Sequence, residues 1–358
     1  MARPRKTDDL AALPAPAAPA PQARPARPQM ADIARLAGVS VSAVSRALRG
    51  SPDIGEDTRK RIVELARSLN YTVNVGAANL RLKQNSTIAV VMPIMNNLRK
   101  QLTEPFFISL ISSIANAVTD RGYDMLLSRV DERRANFADP YYTGRAMGLI
   151  FTGQWVEHDQ LNQLAMAKVP FVVWGEQQAQ QMYCTVGSDN RHGGRIATEH
   201  LIARGARRIA IVGDFDGPEL RNRHEGYLAA LQQAGLQADP ALYLHTSFDT
   251  SVVERDVTAW LAKGVQFDAV FACSDLIAIT VINVMIRHGL RVPEDVIVAG
   301  YDDIDLSSYF RPSLTTVRQP IVDAGRAIVD ALVEQIEGGR PLPRKLVTQL
   351  VQRDSTKR

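Results

Sequence analysis

The sequence predicts a small all-α head, built around a helix-turn-helix, followed by a much larger α/β body. Three observations carry that reading. Residues 32–49 hold two short amphipathic helices pinched around one glycine, Gly38, and a third amphipathic stretch follows. From Ser86 onward, short apolar runs alternate with helical stretches, which is how parallel strands covered by helices on both faces read in sequence. At 358 residues the chain also exceeds the usual size of one domain.

In the first helix Ile33, Ala34, Leu36 and Ala37 recur at helical spacing, so all four are expected to face inward. Gly38 stops that helix, and Val39 reads as a buried plug in the turn. Ser40 can cap the second helix, since its hydroxyl can accept an N–H that a helix start leaves unpaired. Within the second helix Val44, Ala47 and Leu48 form the inward stripe, leaving Val41, Ser42, Ser45 and Arg46 outward. A helix-turn-helix presents such an N-terminal face to base edges in the major groove. Two core helices of an unrelated bundle would show the same bare pattern. The third helix spans about Glu56 to Leu69, with Ile62, Val63, Leu65, Ala66 and Leu69 as its apolar face.

In the body, strands are expected at Thr87–Pro93, Tyr123–Arg129, Gly148–Thr152 and Pro170–Trp174, with a helix at Phe107–Gly122. A second series begins after Gly187. Helices at Gly193–Arg204, Arg223–Gly235, Val252–Ala262 and Leu276–His288 alternate with strands at Arg208–Gly213, Leu242–His245, Asp268–Cys273 and Val296–Tyr301. That is enough for two parallel sheets of about five strands each.

Charge divides the same way. Residues 1–28 carry five basic and two acidic side chains, residues 29–85 nine and five, and the whole chain is +4, so the body is mildly acidic. A basic front and an acidic rear suit a DNA-reading head attached to something that does not bind DNA. The two cysteines, Cys184 and Cys273, stand far apart in apolar surroundings and read as buried free thiols of a reducing cytoplasm. No apolar run is long enough to cross a membrane. The Ala-, Pro- and Arg-rich first 28 residues lack a hydrophobic core segment and read as a disordered basic tail, not a signal peptide.

After the third helix comes Leu69-Asn70-Tyr71-Thr-Val-Asn74-Val-Gly-Ala77-Ala78-Asn79-Leu80-Arg81. With Asp32-Ile-Ala-Arg-Leu-Ala-Gly38-Val-Ser-Val-Ser-Ala-Val-Ser-Arg46, it closely resembles the N-terminal module of the lactose-repressor (LacI/GalR) family of bacterial transcription regulators. The likeness continues through Glu104-Pro105-Phe106-Phe107, Gly187-Ser188-Asp189-Asn190, Arg223-x-x-Gly226-Tyr227, Cys273-Ser274-Asp275, Gly300-Tyr301-Asp302-Asp303 and Leu314-Thr-Thr-Val-Arg318-Gln319-Pro320. It covers about Gln29 to Asp354. It implies a two-lobed, periplasmic-binding-protein-like (type I) effector domain behind the head. The expected divisions are a tail at 1–28, a head at 29–70, a hinge at 71–85 and an effector-binding and dimerisation domain at 86–358. Lobe 1 would take about 86–187 and 319–345, and lobe 2 about 188–318 and 346–356.

By the same resemblance Val41 and Ser42 fall at the two principal base-reading positions, beside Ser40 and Ser45, and Arg46 is a further DNA contact that pairs with guanine or clamps a phosphate. Asn74 would cap a hinge helix of about eight residues, too short to hold by itself, that folds when two copies pack on DNA. Ala77 would lie in its packed face, and Leu80 would wedge into the minor groove. Three departures weaken the pattern: Gln29 replaces the threonine that commonly precedes the first helix, Val73 replaces a proline, and Gly76 lies inside the hinge. The effector cleft would draw on Phe106, Phe107, Arg223, Phe248 and Asp302: aromatic faces for C–H surfaces, and charged groups for pairs of hydroxyls. Asp275 reads as either a ligand contact or a helix cap, and Asn190 and His192 as either cleft or solvated loop residues.

The implied partners are a double-stranded DNA operator, a small-molecule effector of carbohydrate type and a second copy of the chain. A purine-like effector is the alternative within the family. With no leucine heptad after the last strand, a dimer is expected in place of a tetramer. No cofactor, metal site or catalytic residue is expected. The six histidines show no His-x-x-x-His or His-Glu-x-x-His pairing, Gly187-Ser188-Asp189 lacks the hydrolase Gly-x-Ser-x-Gly turn, and no glycine-rich loop follows the first strand after Ser86. A periplasmic sugar-binding protein is opposed by the head.

Overall fold

The structure, a computed structural model, describes residues 29–48, 50–69, 85–93, 104–130, 137–154 and 158–357. They divide into two compact units, with the boundary between Leu82 and Lys83. The basic tail and the hinge residues Asn74, Ala77 and Leu80 lie outside the described residues.

The first unit holds α1 (Met30–Ala37), α2 (Val41–Leu48) and α3 (Glu56–Ser68) around one core of Ile33, Ala34, Ala37, Val44, Ala47, Ile62 and Ala66. Gly38 ends α1 at φ 63°, a left-handed conformation that costs a residue with a Cβ but not glycine. Val39 is half-buried against the core. Ser40 caps α2, with its Oγ accepting the Ala43 N–H at 3.2 Å. At the head of α1 the Gln29 N–H donates to the Asp32 carboxylate at 2.8 Å, so this start is tied without a threonine. Leu36 departs from expectation. It is 51% exposed, because Ile33, Ala34 and Ala37 set the centre of the buried face and Leu36 falls to its flank.

The second unit runs β1 (Thr87–Pro93), α4 (Pro105–Asp120), β2 (Asp124–Val130), α5 (Asp139–Tyr142), β3 (Gly148–Phe151), α6 (His158–Met166), β4 (Phe171–Trp174) and β5 (Cys184–Ser188). It continues as α7 (Asn190–Ala203), β6 (Ile209–Gly213), α8 (Pro218–Gln233), β7 (Tyr243–His245), α9 (Thr250–Leu261), β8 (Ala269–Ala272), α10 (Asp275–Arg287), β9 (Ile297–Asp302), α11 (Asp305–Tyr309) and β10 (Thr315–Arg318). Last come α12 (Ile321–Ile336), β11 (Arg344–Leu346) and β12 (Gln349–Val351).

Two six-stranded sheets result, ordered β11-β5-β4-β3-β1-β2 and β12-β10-β9-β8-β6-β7. Apart from the one terminal strand each sheet gains from the end of the chain, the two orders are the same, so the lobes repeat one topology. All pairings are parallel except β10 with β12. Helices cover both faces, and β3, β4, β5, β6, β8 and β9 are accordingly buried at every position. Edge strands β7, β11 and β12 are not. The chain passes between the sheets after β5, after β10 and between β11 and β12. Cys184 and Cys273 are free and buried. No described helix is long and apolar enough to cross a membrane.

Candidate nucleic-acid interface and ligand cleft

On α2 the inward stripe of Val44 and Ala47 leaves the other side of the helix to solvent. Val41 is 46% exposed, Ser42 and Arg46 are exposed, and Ser45 is half-buried. Ser40 also meets Ser42, hydroxyl to hydroxyl, at 2.9 Å. An exposed valine at a helix start is costly in water and useful against a thymine methyl. Two hydroxyls and one guanidinium beside it add adaptable donors and a fixed cation. The four outward residues therefore share one face, at the end of α2 where the backbone N–H groups point out.

In the body the candidate ligand site is a cavity of about 430 Å³ lined from both lobes. Its walls are the carboxyl ends of the strands and the first residues beyond them: Met92 from β1, Gln154 after β3, Trp174 from β4, Asp214 after β6, Asp302 from β9 and Gln319 after β10. Ligands bind at such ends in open α/β sheets because the crossover helices diverge there. Of the residues named from sequence, Phe106, Phe107, Asn190, Arg223, Phe248 and Asp302 line this cavity. Phe106 and Phe107 meet edge to face with centroids 5.3 Å apart, and Trp174 lies 6.2 Å from Phe106.

Arg223 is positioned by backbone packing. A Cβ on Gly194 of α7 would collide with the Arg223 carbonyl on α8, and one on Gly226 with the backbone of Arg191 and Arg195. Two glycines thus let α7 and α8 touch backbone to backbone. The guanidinium, almost wholly buried, donates from Nε to Asn190 Oδ1 at 2.8 Å and from Nη1 to the Cys273 carbonyl. It stacks on the Tyr301 ring at 3.7 Å and stands 4.0 Å from the Asp302 carboxylate. Asn190, 2% exposed, carries the link onward by donating to Glu176 at 2.8 Å. Asp302 accepts from Gln319 at 2.7 Å. Burial drives the Asp302 carboxyl above its ordinary range, against the pull of Arg223. The backbone is strained here: Asp302 has φ 119° and Asp303 φ 57°. Asp303 accepts from Arg318 and Arg353, each at 2.6 Å.

Two expected site residues stand elsewhere. Asp275 is wholly buried and outside the cavity lining. Its carboxylate accepts from the Ile304 N–H and from the hydroxyls of Ser307 and Thr316, which binds α10 to the loop after β9 and to β10. Nor is it the cap of α10, since Ser274 accepts the Ile277 N–H at 3.2 Å. His192 is also absent from the lining. Its N–H donates to Asp189 and its Nδ1 pairs with the Thr348 hydroxyl, at a passage between the sheets. Sequence reading missed Glu104, Glu219, Gln154, Trp174 and Gln319 as lining residues. Trp174 and Gln319 stand at or just beyond strand ends, a signal that was available; Glu104 and Glu219 open helices whose approach depends on the tertiary fold.

Comparison with known proteins agrees with this geometry. The profile of bacterial regulatory proteins, lacI family, matches residues 29–74, and that of the periplasmic binding protein-like domain matches 198–356. The HTH-type transcriptional regulator CelR of Thermobifida fusca is 33% identical over 328 residues, covering 89% of this chain and 95% of that protein. The chain belongs to the lacI family. It is a DNA-binding transcriptional regulator. A probable HTH-type transcriptional repressor, ExuR of Bacillus subtilis (strain 168), is 31% identical over 324 residues, 89% of this chain and 96% of that one. Among solved structures, a CelR–cellobiose complex superposes with TM-score 0.67 at 31% identity, over 92% of this chain and all of that one. The lac repressor dimer bound to operator superposes with TM-score 0.82 at 24% identity, over 93% of this chain, a likeness of fold.

Proposed function

We propose that this lacI-family regulator is a cytoplasmic homodimeric repressor. Two copies of α2 enter successive major grooves of a pseudo-palindromic operator one helical turn apart. Val41 and Ser42 read base edges, Ser40 and Ser45 contact the backbone, and Arg46 takes guanine or phosphate. Asn74, Ala77 and Leu80 form the paired hinge that inserts into the minor groove. Its effector is a carbohydrate held in the inter-lobe cavity by Phe106, Phe107, Phe248, Asn190, Arg223 and Asp302. The observation that carries this reading is the cavity itself: aromatic faces and a fixed guanidinium–carboxylate pair, brought from both lobes to the strand ends. The CelR–cellobiose complex supports it.

Occupancy of the cavity would alter how the lobes of paired subunits face one another, and with it the ease of ordering the hinges. Coupling of this kind is reciprocal, so operator DNA must change effector affinity by the same factor. The test is selection of bound fragments from random duplex DNA, followed by anisotropy titration of the selected site with and without sugars that raise the melting temperature. A protein that stays monomeric and selects no sequence overturns the reading. Purines that stabilise the body where sugars do not would replace the effector class alone.

A further inference from the structure

The cavity is charged in one direction. Five carboxylates and two arginines line it. Of the arginines, Arg221 is exposed, and Arg223 is already committed to Asn190, the Cys273 carbonyl, Tyr301 and Asp302. Glu104 and Glu219, by contrast, are half-buried and have no salt-bridge partner among the described residues. There the Glu219 carboxylate accepts only from its own backbone N–H, and the Glu104 carboxylate accepts no hydrogen bond. Burial pushes both carboxyls up, Glu219 to about 7, while Arg223 draws them back.

Ligand chemistry is set by that balance. A carboxylate or phosphate entering the cavity would meet a guanidinium already faced by the Asp302 carboxylate, with further negative charge around it. A neutral sugar would meet the two glutamates as water is expelled only by keeping them protonated, which costs binding at any pH where they ionise. A cation removes the deficit. Relying on the cavity being the effector site, we infer that the effector carries a basic nitrogen, met as an ammonium group by Glu104 or by Glu219, on a hydroxylated ring that lies against Phe106 and Trp174. Its class is the amino sugars and their short oligomers. Arg223 and Asp302 then serve ring hydroxyls, and Glu104 and Glu219 decide charge specificity.

The full chain is tested by thermal shift and calorimetry with three disaccharides of like shape: β-1,4-linked glucosamine dimer, cellobiose and cellobionic acid. The amine raises the melting temperature and binds about tenfold or more tighter than cellobiose, and the acid does not bind. Amine binding releases protons, because an adjacent ammonium lowers the glutamate pKa values, so its heat depends on the buffer's ionisation enthalpy. Amine affinity rises with pH as the glutamates ionise, on the acid side of about 7, and falls again once the sugar's own ammonium loses its proton, while that for cellobiose shows no such maximum. Glu219→Gln reduces the amine preference to about threefold or less, with Glu104→Gln as an independent second variant; circular dichroism melts establish that each folds. The inference is overturned if cellobiose or the acid binds as tightly as the amine, or if glucosamine and its dimer leave the melting temperature unchanged. Operator binding on the same preparations keeps the two readings apart. An uncharged sugar that binds and changes operator affinity ends the amine inference and keeps the regulator, whereas failure to select DNA ends the regulator.

Discussion

The DNA-reading face and the ligand cleft solve opposite problems. On α2 the residues that would meet a partner are adjacent in sequence, exposed, and connected to their own core through one helix. In the cleft they come from strand ends and helix starts more than two hundred positions apart, and the decisive ones are buried among each other's charges. The head can therefore lose a contact residue and stay folded. The cleft cannot, because its binding groups are also its electrostatic support.

The largest expected effect tests that contrast directly. Arg223→Ala leaves the raised carboxyls of Asp302, Glu104 and Glu219 without their shared cation, and should destabilise the body by about 3–5 kcal/mol in a thermal or denaturant melt. If the body keeps its melting temperature, the cleft is no more integrated than the head. Gly226→Ala should cost about 1–3 kcal/mol, because the added methyl must displace the backbone of Arg191 and Arg195.

For Arg46→Ala the expectation is reversed: about 1–3 kcal/mol of operator affinity lost in an anisotropy titration, with the melting curve and effector shift unchanged. A fall in melting temperature instead would move Arg46 into the fold. Ser40→Ala removes the cap of α2 and should lower the stability of the head by about 1 kcal/mol, seen in its helical signal.

The smallest effect is a pH dependence confined to the body. Buried carboxyls raised above their unfolded values stabilise least when ionised, so Glu104, Glu219, Asp275 and Asp302 should make the ligand-free body melt lower as pH rises past about 5 toward about 8. His200 opposes this from the acid side. Burial, with help from Arg204, lowers its pKa to about 4, so it stabilises above its unfolded value and that contribution is lost as pH falls from about 6.5 toward about 4. Four carboxyls outweigh one histidine where the two windows overlap, so the melting temperature should fall as pH rises from about 5 toward about 8, and a rise over that range would refute the account.

Legibility in sequence followed the same divide. The head was readable because its pattern is local: Ser40, Val44 and Ala47 report their surroundings within one helical turn. Leu36 was misplaced only because a four-residue stripe is wider than the face three packed helices can bury. In the body most of the fully buried strands announced themselves as apolar runs, but β5 and β10 to β12 went unread, as did α5, α6, α11 and α12. β5 contains Thr185, Gly187 and Ser188, polar or small residues that are buried only because parallel neighbours flank them. Site chemistry was least legible. Asp275 has the sequence position of a cleft residue, and only the approach of Ile304, Ser307 and Thr316 makes it an internal staple. Glu104 and Glu219 announce nothing until the fold brings two helix starts to the same cavity wall as Arg223.

One dipeptide touches both the cavity and the segments that pass between the lobes. Asp302 faces the cavity, and the very next carboxylate grips an arginine on each of two segments that run on to, or return from, the other lobe. Both residues sit in backbone torsions that side chains other than glycine resist. The cavity wall and the clamp on both passages are thus neighbours on one strained turn, with no residue between them to absorb a change at either. Exchange of Asp303 for asparagine would leave the ligand's docking points intact and blunt only the message.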